Sequence, residues 1–305
     1  MYNLDANWHY ESLTPNLVQA ERITEILFEG ETPYQKVSIV DAACFGKMLL
    51  LDGKTQSTEV DEFVYHEALV QPTMIAHSNP KRVFVAGGGE GATIREVLKH
   101  KSVTKVVMVD IDEQVIELCK RYLPSFHEGA FNDPRLDLHY ADALRFLEES
   151  DEEFDLAIID VPDPLEEGPA YMLFTQEFYH IIRKSLTSDG MIVAQAGPTG
   201  PAFAQQCFSA VAKTVQSVFT NVYMCEAFVP SFGSTWGFVV GSFGIDPSSL
   251  SAKEVDQRIM ERIDGKLNFY DGITNRGMFS VPKYLRNALA SQKRVITRDN
   301  PLFVV

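Results

Sequence analysis

Residues 82–110 read RVFVAGGGEGATIREVLKHKSVTKVVMVD, and the fold turns on them. RVFVAG (82–87) is a short apolar run of buried-strand type that passes straight into Gly87, Gly88, Gly89, Glu90 and Gly91. ATIREVLKH (92–100) then spaces its apolar residues as a helix does, and KVVMVD (105–110) is a second buried strand ending on an acid. A strand-to-helix turn needs glycine for its own geometry, but the same bare backbone lets a ligand approach closely. Asp110 lies about 20 residues beyond the loop, at the end of the next strand, where a carboxylate can accept both hydroxyls of a ribose. Loop and acid together point to a nucleoside.

The alternation continues toward the C-terminus. EQVIELCKRYL (113–123) reads as a helix with Asp112 as its N-cap, and RLDLHYAD (135–142) as a strand entering the helix ALRFLEES (143–150). FDLAIID (154–160) is a strand, TQEFYHIIRKSL (175–186) a helix, GMIVAQAG (190–197) a strand and FAQQCFSAVAKTVQSVF (203–219) a helix. VYMCEAFV and WGFVVGSF (222–229, 236–243) lie close enough to form a hairpin, and the tail from Ser251 reads as two helices with a loop between. Strands alternating with helices predict a parallel, doubly wound sheet with ligands at its carboxyl edge. Toward the N-terminus, ITEILFE, YQKVSIVDA and GKMLLLDGKTQST, with a turn at Asp52–Gly53, predict a β-meander or hairpin. The helix EFVYHEALVQPTMIAH follows from about residue 61 and ends before Asn79–Pro80. The expected organisation is a small β domain over 1–60 and a doubly wound α/β domain with C-terminal helices over 61–305.

Composition narrows the function classes. A net charge of −15 disfavours nucleic acid and anionic membranes as partners and favours cations, although acidity also serves solubility alone. No apolar run reaches the roughly 20 residues of a membrane span. The N-terminus MYNLDANWHYESLT lacks the pattern of a secretion signal, and Cys44, Cys119, Cys207 and Cys225 are scattered like reduced core residues. A cytoplasmic protein is expected.

Three groups of residues carry chemistry. Glu90 sits inside the glycine loop, where a nucleoside's tail should lie. At about 4 Å and an effective dielectric near 20 it would repel the carboxylate of S-adenosylmethionine by about 4 kcal/mol. It would instead attract a decarboxylated tail that ends in ammonium. Asp160 and Asp163, in FDLAIIDVPDP (154–164), stand three residues apart at a strand's carboxyl end, on a loop stiffened by Pro162 and Pro164. Acids there often cap helices, but a carboxylate pair also suits binding a protonated amine and removing its proton. Glu166 and Glu167 add negative charge beyond them. The third group is Gln56 with Asp61, Glu62, Tyr65 and His66. His66–Glu67 resembles the start of a zinc-binding helix, but Val70 occupies the place of the second histidine, so no metal is expected.

GKMLLLDGKTQSTEVDEFVYHEAL, GGGEGATIREVLKH, VVMVDID, YADAL, IIDVPDP and QAGP, in this order, resemble the polyamine aminopropyltransferase family, the spermidine synthases and their relatives. The likeness runs from about Tyr34 to about Pro282. Glutamate in the glycine loop, where most spermidine synthases have aspartate, and FVPSFGSTWG (228–237), which matches except at Phe228, look closest to the thermospermine synthase type. The resemblance implies a small N-terminal β domain, a Rossmann-like methyltransferase-type domain and a homodimer or homotetramer. It implies decarboxylated S-adenosylmethionine as cosubstrate, with no separate cofactor. Gln35 and Asp110, with Ile111 beside it, would hold the ribose, and Asp142 with Ala143 would meet the adenine. Gly87, Gly88 and Gly89 would cradle the ligand and Glu90 would bind the propyl ammonium. Gln56, Tyr65 and His66 would line the transfer site, Asp160 would accept the proton, and Asp163 would place the acceptor amine. Gln195 and Pro169 would complete the walls.

Two departures from the family pattern stand out. The loop from Asp163 to Pro169 is two residues longer than the usual one, and Phe232 replaces a common tyrosine, which hints at a different or longer acceptor. The expected reaction is an in-line displacement onto spermidine giving thermospermine and methylthioadenosine, without metal or covalent intermediate. Putrescine or agmatine as acceptor, a methyltransferase on the same fold, and a silent polyamine binder are the alternatives. Glu90, and Ala86 where methyltransferases usually carry an acid, disfavour the methyltransferase; the intact Asp160, Asp163 and Gln56 disfavour the silent binder.

Overall fold

A computed structural model describes residues 7–166, 168 and 170–304, which form two β-sheets. The first sheet has five antiparallel strands in sequence order: β1 (Trp8–Thr14), β2 (Leu17–Glu31), β3 (Lys36–Ala42), β4 (Gly46–Leu51) and β5 (Lys54–Thr58). It is the expected meander. Asp52 and Gly53 take φ of 50° and 74°, the two left-handed residues that a tight hairpin turn requires. β1 and the first third of β2 lie outside the strands expected from sequence. Neither buries a continuous face there, so the period-two signal that betrays a strand is missing.

The rest of the chain runs α1 (Glu62–Ala76), β6 (Arg82–Gly87), α2 (Ala92–Leu98), β7 (Lys105–Asp110), α3 (Glu113–Tyr122), the one-turn α4 (Pro124–His127), β8 (Leu136–Tyr140), α5 (Ala143–Glu149) and β9 (Phe154–Asp160). It continues with α6 (Gln176–Lys184), β10 (Leu186–Pro198), α7 (Phe208–Gln216), β11 (Asn221–Val229), β12 (Ser234–Ser242), α8 (Ala252–Arg262), α9 (Gly272–Phe279) and α10 (Lys283–Ser291). The second sheet has the order β11-β12-β10-β9-β6-β7-β8. β12 is antiparallel to both neighbours, so the sheet is mixed and not wholly parallel. Only the short turn at Pro230–Phe232 joins β11 to β12, too little chain for a parallel crossover.

Successive residues of the central strands feed opposite cores. Val83, Val85, Val106, Met108, Leu156 and Ile158 pack toward α1, α2 and α8, whereas Phe84, Ala86, Val107, Val109, Ala157 and Ile159 pack toward α5, α6 and α7. Burial on both faces explains why these strands read as unbroken apolar runs. Each fully buried large side chain contributes about 1.5–3 kcal/mol, and truncating Phe84 to alanine would cost about 3–5 kcal/mol. The first sheet docks through Val37, Ile39, Leu49 and Leu51 onto Val115, Cys119, Leu123 and Phe126. That contact carries the N-terminal sheet to the carboxyl edge of the second sheet.

Two helical expectations are corrected. The chain from 201 to 207 is a series of turns, and α7 begins only at Phe208. The tail holds three helices and not two, because Pro282 forces the residue before it out of helical geometry and separates α9 from α10. No helix among the described residues is long and apolar enough to cross a membrane.

Candidate active site

A cavity of about 250 Å³ opens at the carboxyl ends of β6, β7, β9 and β10, roofed by β1, β4 and β5 of the first sheet. The chain passes from β6 to β7 on one side and returns to β9 on the other, which places the crevice at the sheet's switch point. Gly87 pairs in register with Asp160, takes φ of +78°, and a Cβ there would stand 2.1 Å from the Asp160 carbonyl oxygen. Only glycine fits. Gly88 then donates its N–H to that carbonyl at 2.8 Å, so the loop is stitched to the strand that carries the candidate base.

Gln35, Gly87, Gly88, Gly89, Glu90, Asp110, Ile111, Asp142 and Ala143 all line the cavity, as do Gln56, Tyr65, Asp160, Asp163, Gln195 and Phe232. Pro169 and Glu167 lie outside the described residues. Gln35 donates to Asp112 Oδ2 at 3.0 Å, and Asp112 caps α3 through Val115 N–H, so the first sheet and α3 are tied beside Asp110. Burial pushes the Asp110 carboxyl up to about 7, assisted by the charges of Asp112, Glu90 and Asp160 against an opposing Asp112 N–H bond. Asp142 accepts from Leu144 N and Arg145 N at 2.8 and 3.2 Å, so its carboxylate caps α5 while the residue borders the cavity.

Asp160 is clamped at both oxygens. Tyr65 Oη donates to Oδ1 at 2.8 Å and Thr93 Oγ1 donates to Oδ2 at 2.5 Å. Burial and the nearby Glu90 raise the Asp160 carboxyl above its ordinary range, while His66 and the two hydroxyls pull it back down. The Tyr65 phenol is itself pushed up by burial and by Asp160, so it remains a donor.

His66 corrects an expectation. It does not line the cavity but lies fully buried behind Glu90, with Nε2 2.9 Å from Glu90 Oε1 and Nδ1 2.9 Å from Glu62 Oε2. Adjacent helical positions face different directions, so α1 can turn Tyr65 into the chamber and His66 away from it. Burial would lower the imidazole, but the bonds to Glu62 and Glu90 outweigh it and raise it to about 10. Glu62 is held in turn by Arg95 at 2.9 Å. Glu90 is thereby fastened from behind by an imidazolium, which fixes its direction and offsets part of its charge. His66, Glu90 and Asp160 place ligand atoms within 4.8 Å of one another. Both imidazole nitrogens are already committed to carboxylates, so this group fits an ion-pair network better than a metal.

The far arm of the chamber comes from distant segments. Gln195 Nε2 donates to Val161 O at 2.8 Å and Asp163 Oδ1 at 3.2 Å, while its Oε1 accepts from Trp236 at 3.1 Å. Burial raises Asp163 to about 6 despite the bond from Gln195. Phe232 packs edge-on against Tyr65 and Trp236, with ring centroids 5.8 and 4.7 Å away. Asp61 is no wall either: it accepts from Ser231 N–H at 2.7 Å and from Thr58, binding β5 to the β11–β12 turn. Phe228, the one mismatch within FVPSFGSTWG, is 58% exposed and lines no part of the chamber.

Sequence reading missed Glu11, Leu13, Asp52, Lys54, Trp236 and Val304 as walls, and Thr93 as a partner of Asp160. Glu11 accepts from Thr55 N–H and hydroxyl at 3.0 and 2.7 Å. Val304 donates to Pro164 O at 2.9 Å. Among the described lining residues, Glu11, Asp52, Glu90, Asp110, Asp142, Asp160 and Asp163 are opposed by Lys54 alone. Such a chamber attracts a polycation.

The sheet order, the glycine loop and the carboxyl-edge chamber define a Rossmann-like α/β enzyme with an added N-terminal β-sheet. The Spermine/spermidine synthase domain matches residues 62–246 and the Spermidine synthase tetramerisation domain residues 7–59. A polyamine aminopropyltransferase of Sulfurisphaera tokodaii is 45% identical over 298 residues, 98% of each chain. One from a Synechococcus is 44% identical over 301 residues, 96% of each. A spermidine synthase crystallised with the transition-state analogue AdoDATO superposes with a TM-score of 0.85 at 30% identity, over 96% of this chain and 99% of that one. The spermidine synthase of Thermotoga maritima gives 0.83 at 29% identity, over 96% and 98%. The chain belongs to the spermine/spermidine synthase family of polyamine aminopropyltransferases.

Proposed function

We propose that the protein transfers the aminopropyl group of decarboxylated S-adenosylmethionine to spermidine, giving thermospermine and methylthioadenosine. The observation that carries this reading is Asp160, clamped by Tyr65 and Thr93 where the glycine loop meets an acid-lined chamber. The nucleoside lies along Gly87–Gly89, with Asp110 and Gln35 at its ribose and Asp142–Ala143 at its adenine. Glu90 takes the propyl ammonium. The acceptor occupies the arm lined by Glu11, Gln56, Asp163 and Gln195, where Phe232 offers an apolar wall to the methylenes of a triamine. A free amine is scarce at neutral pH, so the acceptor nitrogen first gives its proton to Asp160. Its lone pair then attacks the propyl carbon next to sulfur, and the carbon–sulfur bond breaks with its electrons returning to sulfur. The sulfonium leaves as a neutral thioether, so the chain's task is alignment and deprotonation, with no metal and no covalent intermediate.

The same reading takes the protein as cytoplasmic and homo-oligomeric, and the acidic charge disfavours nucleic acid as a partner. The test is a product assay by chromatography and mass spectrometry. Decarboxylated S-adenosylmethionine is supplied with putrescine, agmatine, spermidine or norspermidine in separate reactions, with thermospermine and spermine standards. Thermospermine from spermidine is the expected product. Spermidine from putrescine alone would keep the mechanism and overturn the acceptor.

A further inference from the structure

Of the two residues whose hydroxyls converge on Asp160, only Tyr65 lines the chamber. Thr93 sits in the first turn of α2, three residues beyond Glu90, and is fully buried without lining the cavity. As the second residue of α2, Thr93 has no preceding helical turn whose carbonyl its hydroxyl could bond. The hydroxyl instead crosses to β9 and donates to Asp160 Oδ2 at 2.5 Å. Gly88 adjoins the same oxygen: a Cβ there would lie 3.2 Å from Oδ2, so a larger residue at 88 would crowd the carboxylate. Tyr65 fixes Oδ1 at 2.8 Å. With one donor on each oxygen, the carboxylate plane cannot rotate without breaking a buried hydrogen bond.

We propose that Thr93 is a positioning residue for the transfer: by holding Oδ2 from behind, it aims the free lone pairs of Asp160 at the acceptor nitrogen. This rests on Asp160 being the proton acceptor. The groups that bear on Asp160 are Glu90 from the glycine loop, Asp110 from β7, Tyr65 and His66 from α1, and Thr93 from α2. Among them Thr93 is a neutral donor that stabilises the ionised carboxylate, so its loss raises the pH at which the base becomes free.

The test is the pH profile of kcat/KM for the acceptor in Thr93→Val, which keeps the branched shape and deletes the donor. The acid limb should move upward by about one pH unit, as expected for a lost hydrogen bond to a buried charge. Turnover on the plateau should fall several-fold, while methylthioadenosine binding by calorimetry stays unchanged. Thr93→Ser should restore both limb and plateau. A profile superimposable on the parent's, or a serine variant as impaired as the valine one, would reduce Thr93 to packing and overturn the proposal. If the valine variant does not fold, Thr93→Ala against Thr93→Ser carries the same comparison. Asp160→Asn separates the two readings: its full activity would sink the base assignment itself. Its inactivity beside an unmoved Thr93→Val profile would remove Thr93 alone.

Discussion

The two halves of the chamber are built from different materials. Apart from Gln35, which the β2–β3 turn of the first sheet supplies, the half proposed for the nucleoside draws on Gly87–Glu90, Asp110–Ile111 and Asp142–Ala143, each at or just beyond the end of a strand of the second sheet. The half proposed for the acceptor gathers Glu11 from β1, Gln56 from β5, Asp163 beyond β9, Gln195 from β10 and Phe232 from the β11–β12 turn. One half is a repeated local solution, strand end followed by loop. The other exists only when two sheets dock. The difference teaches that nucleoside binding can be carried by the fold, whereas acceptor choice is open to change at many separate positions.

The largest expected effect falls where the halves meet. Asp160→Asn should lower turnover at least about 100-fold, the low end for losing a general base, with methylthioadenosine binding kept. Near-normal steady-state turnover would take Asp160 out of that role. Next comes the nucleoside half. In the proposed role Asp110 would accept two ribose hydroxyls only as a carboxylate, and burial has raised it to about 7. Nucleoside affinity should therefore fall about tenfold per pH unit below that value, and calorimetry flat from about pH 5.5 to 8 would break the assignment. Before ligand arrives the same shift lowers stability as pH rises from 3.8 to about 7, because the folded chain holds a proton that the unfolded chain releases.

Glu90→Gln should cut the preference for decarboxylated over ordinary S-adenosylmethionine by about tenfold, with competitive calorimetry as the measurement. An unchanged preference would leave Glu90 as a mere partner of His66. The smallest effect is expected in the docked half. Glu11→Gln should raise the acceptor KM about threefold and leave the cosubstrate KM alone, as suits a partly solvated ion contact. Equal movement of both constants would erase the division between the halves.

Legibility follows the same line. Gly87–Gly91, Asp110 and Asp160 were readable because each obeys a backbone rule within a few residues of chain. The Asp52–Gly53 turn and the Asp112 cap were readable for the same reason. His66 reads from sequence as a helix residue, but a one-residue step on α1 turns it away from the chamber wall, and only packing decides that direction. Glu11 was hidden in a strand that shows no apolar face, and Thr93 in a helix whose every residue is buried.

The sequence by itself determined the alternation of strands and helices from β6 to β12, the glycine turn at the sheet's edge, and which acids end its strands. These are local demands of φ angles, caps and apolar periodicity. Tertiary structure decided what those acids touch. It brought Tyr65 and Thr93 to Asp160 across 95 and 67 residues of chain. It also set two buried histidines apart: His66, between two carboxylates, is raised to about 10, and His100, beside Arg262 and Lys99, is lowered to about 3 chiefly by burial. Both are single helix-region histidines in the sequence. Charge in a buried site depends on distance to partners, and distance is a property of the fold.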